Sequence, residues 1–239
     1  MRTNLGENRR PETWLPSPDR KVQLIEVLVF LFLIAPSMGT SFFIVNQLHL
    51  SFATIAISSI LNDLALVSLV LYLIWRNGEF LQHIGWTFGS IWREIVWGLL
   101  LFLPTSFGAI SLENALHAIG FSVQTKLSSF LLATGLAKVL LAFMLVTVVA
   151  VSEETVFRGY LLLRFKAVTG RTSAAVLLSS VIFSLGHGYE GMAGLISVFF
   201  LGVILAVVYL WRQSLVASMV MHFLIDFSSI ILTTLYGCS

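Results

Sequence analysis

The chain has 239 residues, of which 57% are hydrophobic and 11% charged, with a mean hydropathy of +0.93 and a net charge of +2. Soluble domains carry roughly 25% charged residues, so the composition is that of a polytopic membrane protein. The small net charge excludes an electrostatic nucleic-acid binder, and one cysteine, Cys238, excludes a disulfide framework.

Residues 1–21 are polar and mix five basic residues with Glu7, Glu12 and Asp19. They read as a cytoplasmic tail, not as a cleaved signal, because the apolar run that follows is too long for a signal core. A spanning helix needs about 20 apolar residues. Residues 22–46 and 52–75 qualify and carry Glu26 and Asp63, while residues 95–112 qualify marginally. Residues 127–151 qualify and carry Lys138; residues 174–187 form a short run, and 191–211 and 215–236 qualify again. The fold expected is all-α, a polytopic integral membrane protein of seven to eight transmembrane or re-entrant helices. It divides into the tail 1–21, N-terminal helices over 22–126 and a catalytic core over 127–236. With the N-terminus inside, the tail, the 76–94 connection, the 158–172 region and Arg212 hold twelve of the fourteen Lys and Arg, as the positive-inside rule expects. Between the second and third runs, residues 79–86 with Trp92 and Trp97 read as an interfacial stretch lying on the cytoplasmic surface.

Chemistry concentrates in the last four runs. Glu153 and Glu154 close an apolar run and are about 100° apart on a helix, so they face different ways. Glu154 and Arg158 are four apart and suit an ion pair, which leaves Glu153 as a general base. His187 ends an apolar run between two glycines, with Phe183 one turn before it. His222 and Asp226 share a face of the last helix, where the carboxylate can orient the imidazole. With a 1.5 Å rise per residue, Glu153, His187 and His222 lie about 16, 21 and 12 Å deep, compatible with one site inside the membrane. A glutamate with two histidines suits metal-assisted hydrolysis, metal-free hydrolysis or a proton relay. No H-E-x-x-H motif is present.

At these residues the chain resembles the CPBP family of intramembrane proteases, which includes CAAX prenyl endopeptidases, bacteriocin-processing and abortive-infection proteins. The matching motifs are Glu153-Glu154-x-x-x-Arg158, Phe183-x-x-x-His187 and His222-x-x-x-Asp226, in that order, within residues 130–236. The resemblance implies a membrane endopeptidase with site residues Glu153, Glu154, Arg158, His187, His222 and Asp226. In it Glu153 and His187 activate water, and His222 and Asp226 stabilise the oxyanion. Family members have been viewed both as metalloproteases and as glutamate-type enzymes. Zinc is therefore a candidate cofactor, and Glu153, His187 and His222 would hold it. The implied partners are a membrane-associated protein or peptide substrate and the lipid bilayer, and the implied location is a bacterial plasma membrane. An ionised Asp226 only accepts hydrogen bonds, unlike asparagine, so it is expected to orient His222 or to be neutral. The alternatives are a non-catalytic immunity or scaffold protein and, with no paired broken helices in matching halves, a proton-coupled transporter.

Overall fold

The computed structural model describes residues 19–44, 51–121 and 135–236. The polar tail before residue 19, Lys126 in the expected outer loop, and Cys238 lie outside them. The described chain is helical throughout. Helices α1 (Arg20–Ile44), α2 (Phe52–Arg76) and α3 (Ile91–Ala118) precede the core. Helix α4 (Leu136–Glu153) runs without a break into a π-helix (Glu154–Leu161) and then α5 (Leu162–Thr169). Helices α6 (Thr172–Leu185), α7 (Gly191–Arg212) and α8 (Leu215–Tyr236) complete it. Five helical segments are long and apolar enough to cross a membrane, and Thr172–Leu185 and Leu215–Ile230 are shorter apolar helices. These seven match the seven runs read from hydropathy. Many large apolar side chains, such as Phe32, Leu103 and Phe107, point outward, as on a surface solvated by lipid.

One expectation needs correction. The 158–172 region, read as a cytoplasmic connection, is for most of its length the continuation of α4, and Arg158 and Arg164 are almost wholly buried. Hydropathy missed this because a buried ion pair looks like a loop charge when its partner lies far away in sequence. Arg164 makes a two-pronged bridge to Glu79, at 2.9 and 2.8 Å, and lies 3.5 Å from Glu26. Glu26 also accepts from Arg76, Asn77 and the Tyr160 hydroxyl.

The 79–86 stretch keeps one side outward, with Phe80, Leu81, Gln82 and His83 exposed, as an amphipathic surface stretch would. Its short 3₁₀ turn (Leu81–Ile84) buries Ile84 fully against the π-helix. Gly159 permits this contact, since a Cβ there would stand 2.9 Å from the Ile84 carbonyl oxygen. Gly85, in the left-handed region at φ 90°, accepts a hydrogen bond from the Leu215 amide at the start of α8. Trp86 Nε1 donates to Thr155 Oγ1 at 3.2 Å.

Arg212 pairs with Glu94 at 2.9 and 2.8 Å and lies over the rings of Trp97 and Trp211. Arg20 bonds the Val168 carbonyl. Thus Arg20, Arg76, Arg164 and Arg212 gather at one end of the bundle. Removing one partner of a buried ion pair leaves an uncompensated charge. Arg164→Ala is therefore expected to cost about 3–5 kcal/mol, read as a lower unfolding temperature in detergent, with Arg93→Ala, an exposed arginine, as the neutral control.

Candidate active site

The π-helix forms at Glu154 because its backbone and side chains find partners that an α-helix would not meet. The Leu162 amide bonds the Phe157 carbonyl five residues back. That same carbonyl accepts from Ser179 of α6 at 2.7 Å. Thr155 Oγ1 bonds back to the Val151 carbonyl while accepting from Trp86. Such π-turns are rare inside helices and recur at functional sites.

At its first residue, Glu154 is completely buried and holds an arginine and a histidine side chain. Its Oε1 lies 2.8 Å from Arg158 Nη1 and 3.0 Å from His222 Nδ1. The Arg158 contact is ionic and poorly angled: both Nη atoms lack a hydrogen-bond partner. The guanidinium instead lies flat over Phe183, 4.1 Å from the ring centroid, a cation–π contact strengthened by desolvation. Phe183 also touches His187 at 4.9 Å and His222 at 5.8 Å between ring centroids. This one ring thus spaces three of the site residues.

His222 turns its other nitrogen, Nε2, toward Asp226 Oδ2 at 3.4 Å and Glu153 Oε2 at 3.6 Å. Carboxylates only accept, so Nδ1 donates to Glu154, and the arrangement suits an imidazolium with N–H on both sides. Glu153 differs sharply from its neighbour. Its side chain is one-fifth exposed and its nearest paired nitrogen is 3.6 Å away, although the Oε2 atoms of both glutamates are buried without a hydrogen-bond partner. His187 follows α6 at a turn, and its Nδ1 lies 3.0 Å from the Phe183 carbonyl. Nδ1–H donates there, which leaves the Nε2 lone pair free to act on a ligand.

All six residues read from the motifs therefore lie in one neighbourhood. The split between Glu154 and Glu153 is as the helix geometry predicts, and Asp226 lies beside His222 Nε2; what the sequence reading did not include is Glu154 on the other nitrogen, Nδ1. Spacing along one helix could not reveal a partner 68 residues away. Asp63 of α2 was noted only as a charge in an apolar run, yet it is buried and within electrostatic reach of Glu153, His222 and Asp226. A lone carboxylate in the middle of a span was its signal.

The arrangement also bears on zinc. Among the described residues, no three His, Cys, Asp or Glu side chains are gathered as a metal-holding group. No step below is routed through a metal.

Residues 134–228 match the family model of type II CAAX prenyl endopeptidase Rce1-like proteins. The matched segment contains α4, the π-helix and every motif residue, and it supports the resemblance to the CPBP and CAAX proteases. It makes this chain similar to membrane proteases of the CAAX type. Neither the curated proteins nor the solved structures compared with the chain gave a match.

Removing Glu154 leaves Arg158 buried without its counter-charge, whereas removing Glu153 relieves a crowded acidic corner. Glu154→Ala is expected to lose about 3–5 kcal/mol of stability, and Glu153→Ala close to none. Thermal unfolding of the two purified variants compares them. Asp226→Asn keeps the side chain's shape beside His222 Nε2 and adds an N–H donor, so it is expected to retain activity within about tenfold, read as peptide cleavage.

Proposed function

We propose that this protein is an intramembrane endopeptidase that cuts a peptide bond in a membrane-associated protein or peptide, with Glu153 as the general base. The observation that carries it is the contrast between two adjacent glutamates. Glu154 is fully buried and its Oε1 is held at 2.8 Å by Arg158 and at 3.0 Å by His222, while Glu153 is one-fifth exposed and its nearest paired nitrogen, His222 Nε2, is 3.6 Å away. A carboxylate so placed keeps an acceptor to offer to a water.

In this reading Glu153 takes one proton from the water as its oxygen adds to the amide carbonyl carbon. His187 Nε2 accepts the water's second hydrogen and fixes its position. The His222 N–H faces the developing oxyanion, and Glu154 and Arg158 keep that imidazole in place. Asp226 trims its orientation. Glu153 then returns the proton to the leaving nitrogen, and the carbon–nitrogen bond breaks. Burial inside a helix bundle strengthens each of these interactions by lowering the local dielectric.

In this reading the end of the bundle that gathers Arg20, Arg76, Arg164 and Arg212 faces the cytoplasm of a bacterial cell, as the positive-inside bias favours, so that the N-terminus lies on the cytoplasmic side of the plasma membrane.

The test uses purified protein in liposomes with quenched-fluorescence peptides, made with and without a C-terminal farnesyl-cysteine. Glu153→Gln and His187→Ala are each expected to reduce cleavage at least about 100-fold with an unchanged unfolding temperature. Equal cleavage by wild type and Glu153→Gln would remove the mechanism. Cleavage that survives exhaustive chelation supports the metal-free form written here, and its loss on chelation overturns that form.

A further inference from the structure

The 79–86 segment meets the helix that carries the glutamates at successive heights, and the order of the contacts is reversed along the two chains. Trp86 Nε1 donates to Thr155 Oγ1 at 3.2 Å. Ile84 lies against Gly159, where a Cβ would stand 2.9 Å from the Ile84 carbonyl oxygen. Glu79 takes both prongs of Arg164 at 2.9 and 2.8 Å. The segment is therefore a splint that runs antiparallel along residues 155–164. It is tied to α8 as well, through the Leu215 amide on the Gly85 carbonyl. Ile84 and Glu79 serve the far part of this stretch. Trp86 serves the near end, next to Glu153 and Glu154, and its ring packs against the core cluster that contains Val156 and Tyr160.

The Trp86 contact has a directional consequence. An indole N–H only donates, so the Thr155 oxygen has to accept from it. A hydroxyl carries one proton, and that of Thr155 is thereby sent to the Val151 carbonyl, 2.7 Å away. Thr155 is wholly buried, so water does not compete for either bond. The residues enclosed between Val151 and Thr155 are Ser152, Glu153 and Glu154. The ring that this hydroxyl closes thus contains both glutamates, and it spans the junction where α geometry gives way to π. A hydroxyl bonded back to the carbonyl four residues earlier bends a helix locally. At this junction the bend sets the direction of Glu153, which stands 3.6 Å from His222 Nε2.

We propose that Trp86 is a positioning residue of the peptidase site: its N–H holds the Thr155 hydroxyl on the Val151 carbonyl and so fixes the turn that aims Glu153. The proposal rests on the endopeptidase reading. Trp86 acts through Thr155 and not on the substrate, and the 79–86 segment serves the reaction as well as the packing.

The experiment measures kcat, KM and unfolding temperature on the same peptides in liposomes. Trp86→Phe keeps an aromatic ring and removes the N–H. Replacing Trp86 by 3-benzothienylalanine, with sulfur in place of the N–H, does so at nearly the same size, and it decides the matter if Trp86→Phe fails to fold. Thr155→Val keeps the shape and removes the hydroxyl, and Thr155→Ser keeps the hydroxyl. Both Trp86 replacements and Thr155→Val are expected to lose about tenfold in kcat with KM within about twofold. Thr155→Ser is expected to stay within about threefold of wild type. Trp86→Phe combined with Thr155→Val is expected to be no more than about twofold worse than Thr155→Val alone, because both break one chain of bonds. Wild-type kcat in the benzothienyl protein overturns the proposal. So do losses that multiply in the double variant, which would make the two residues independent. A kcat that falls only in step with unfolding temperature across the set would make the contact structural and overturns it too. A second arm needs no turnover. Hydrogen–deuterium exchange over residues 152–156 is expected to quicken at least about fivefold in the benzothienyl protein while α3 is unchanged, and equal exchange overturns the proposal. Failure of wild type to cleave any peptide would count against the endopeptidase reading, while the exchange arm still decides whether Trp86 holds the glutamate turn.

Discussion

One carboxylate organises this molecule. Glu154 is wholly buried, holds Arg158 from its own helix and His222 from α8, and stands at the first residue of the π-helix. In a medium of low dielectric, a charge of this kind has to be matched or the helix cannot be buried. Matching it ties the fourth and last helices at one height. The Arg158 guanidinium then lies on Phe183, which brings α6 and, at its end, His187 to the same level. The ion pair, the aromatic spacer and the imidazole are one device, and the neighbouring Glu153 is free because Glu154 is not.

A second polar layer lies where the π-helix passes into α5. Glu26, Arg76, Glu79, Tyr160 and Arg164 join α1, α2, the 79–86 segment and the π-helix. Between these layers the packing is apolar, with Phe30 against Tyr160 and Ile84 against Gly159. The bundle is thus held at two heights by charge and between them by shape. Hydrophobic attraction between helices is weak in lipid, so polar contacts and close backbone approach bear a larger share of the specificity. Gly98 of α3 shows the second of these, since a Cβ there would stand 2.7 Å from Val220 of α8.

The helices and the motif residues were legible in the sequence because each depends on local information. Apolar length reports a span, and the i, i+4 spacings of Glu154 with Arg158 and of His222 with Asp226 report a shared face. What was not legible depends on distant partners. The burial of Arg164 needs Glu79, 85 residues away, and the orientation of His222 needs Glu154, 68 residues away. The 79–86 segment reads as interfacial from its tryptophan and charges, and residues 80–83 are exposed, but the burial of Ile84 and Gly85 depends on Gly159 and Leu215 offering room and an amide. The π-helix had no local signal at all, since its stabilising hydroxyl, Ser179, comes from the next helix.

That π-helix has a consequence for how the chain can vary. A π-turn amounts to an α-helix carrying one surplus residue. The same residues wound as regular α-helix would turn everything beyond the segment by about 100° relative to Glu153 and Glu154. Tyr160 would then leave Glu26, and Arg164 would leave Glu79, while the site carboxylates stayed where they were. The bulge therefore sets the phase between the Glu153 end of this helix and its Arg164 end, and a partner that holds it, such as Ser179 on the Phe157 carbonyl, acts on the whole bundle and not on one side chain.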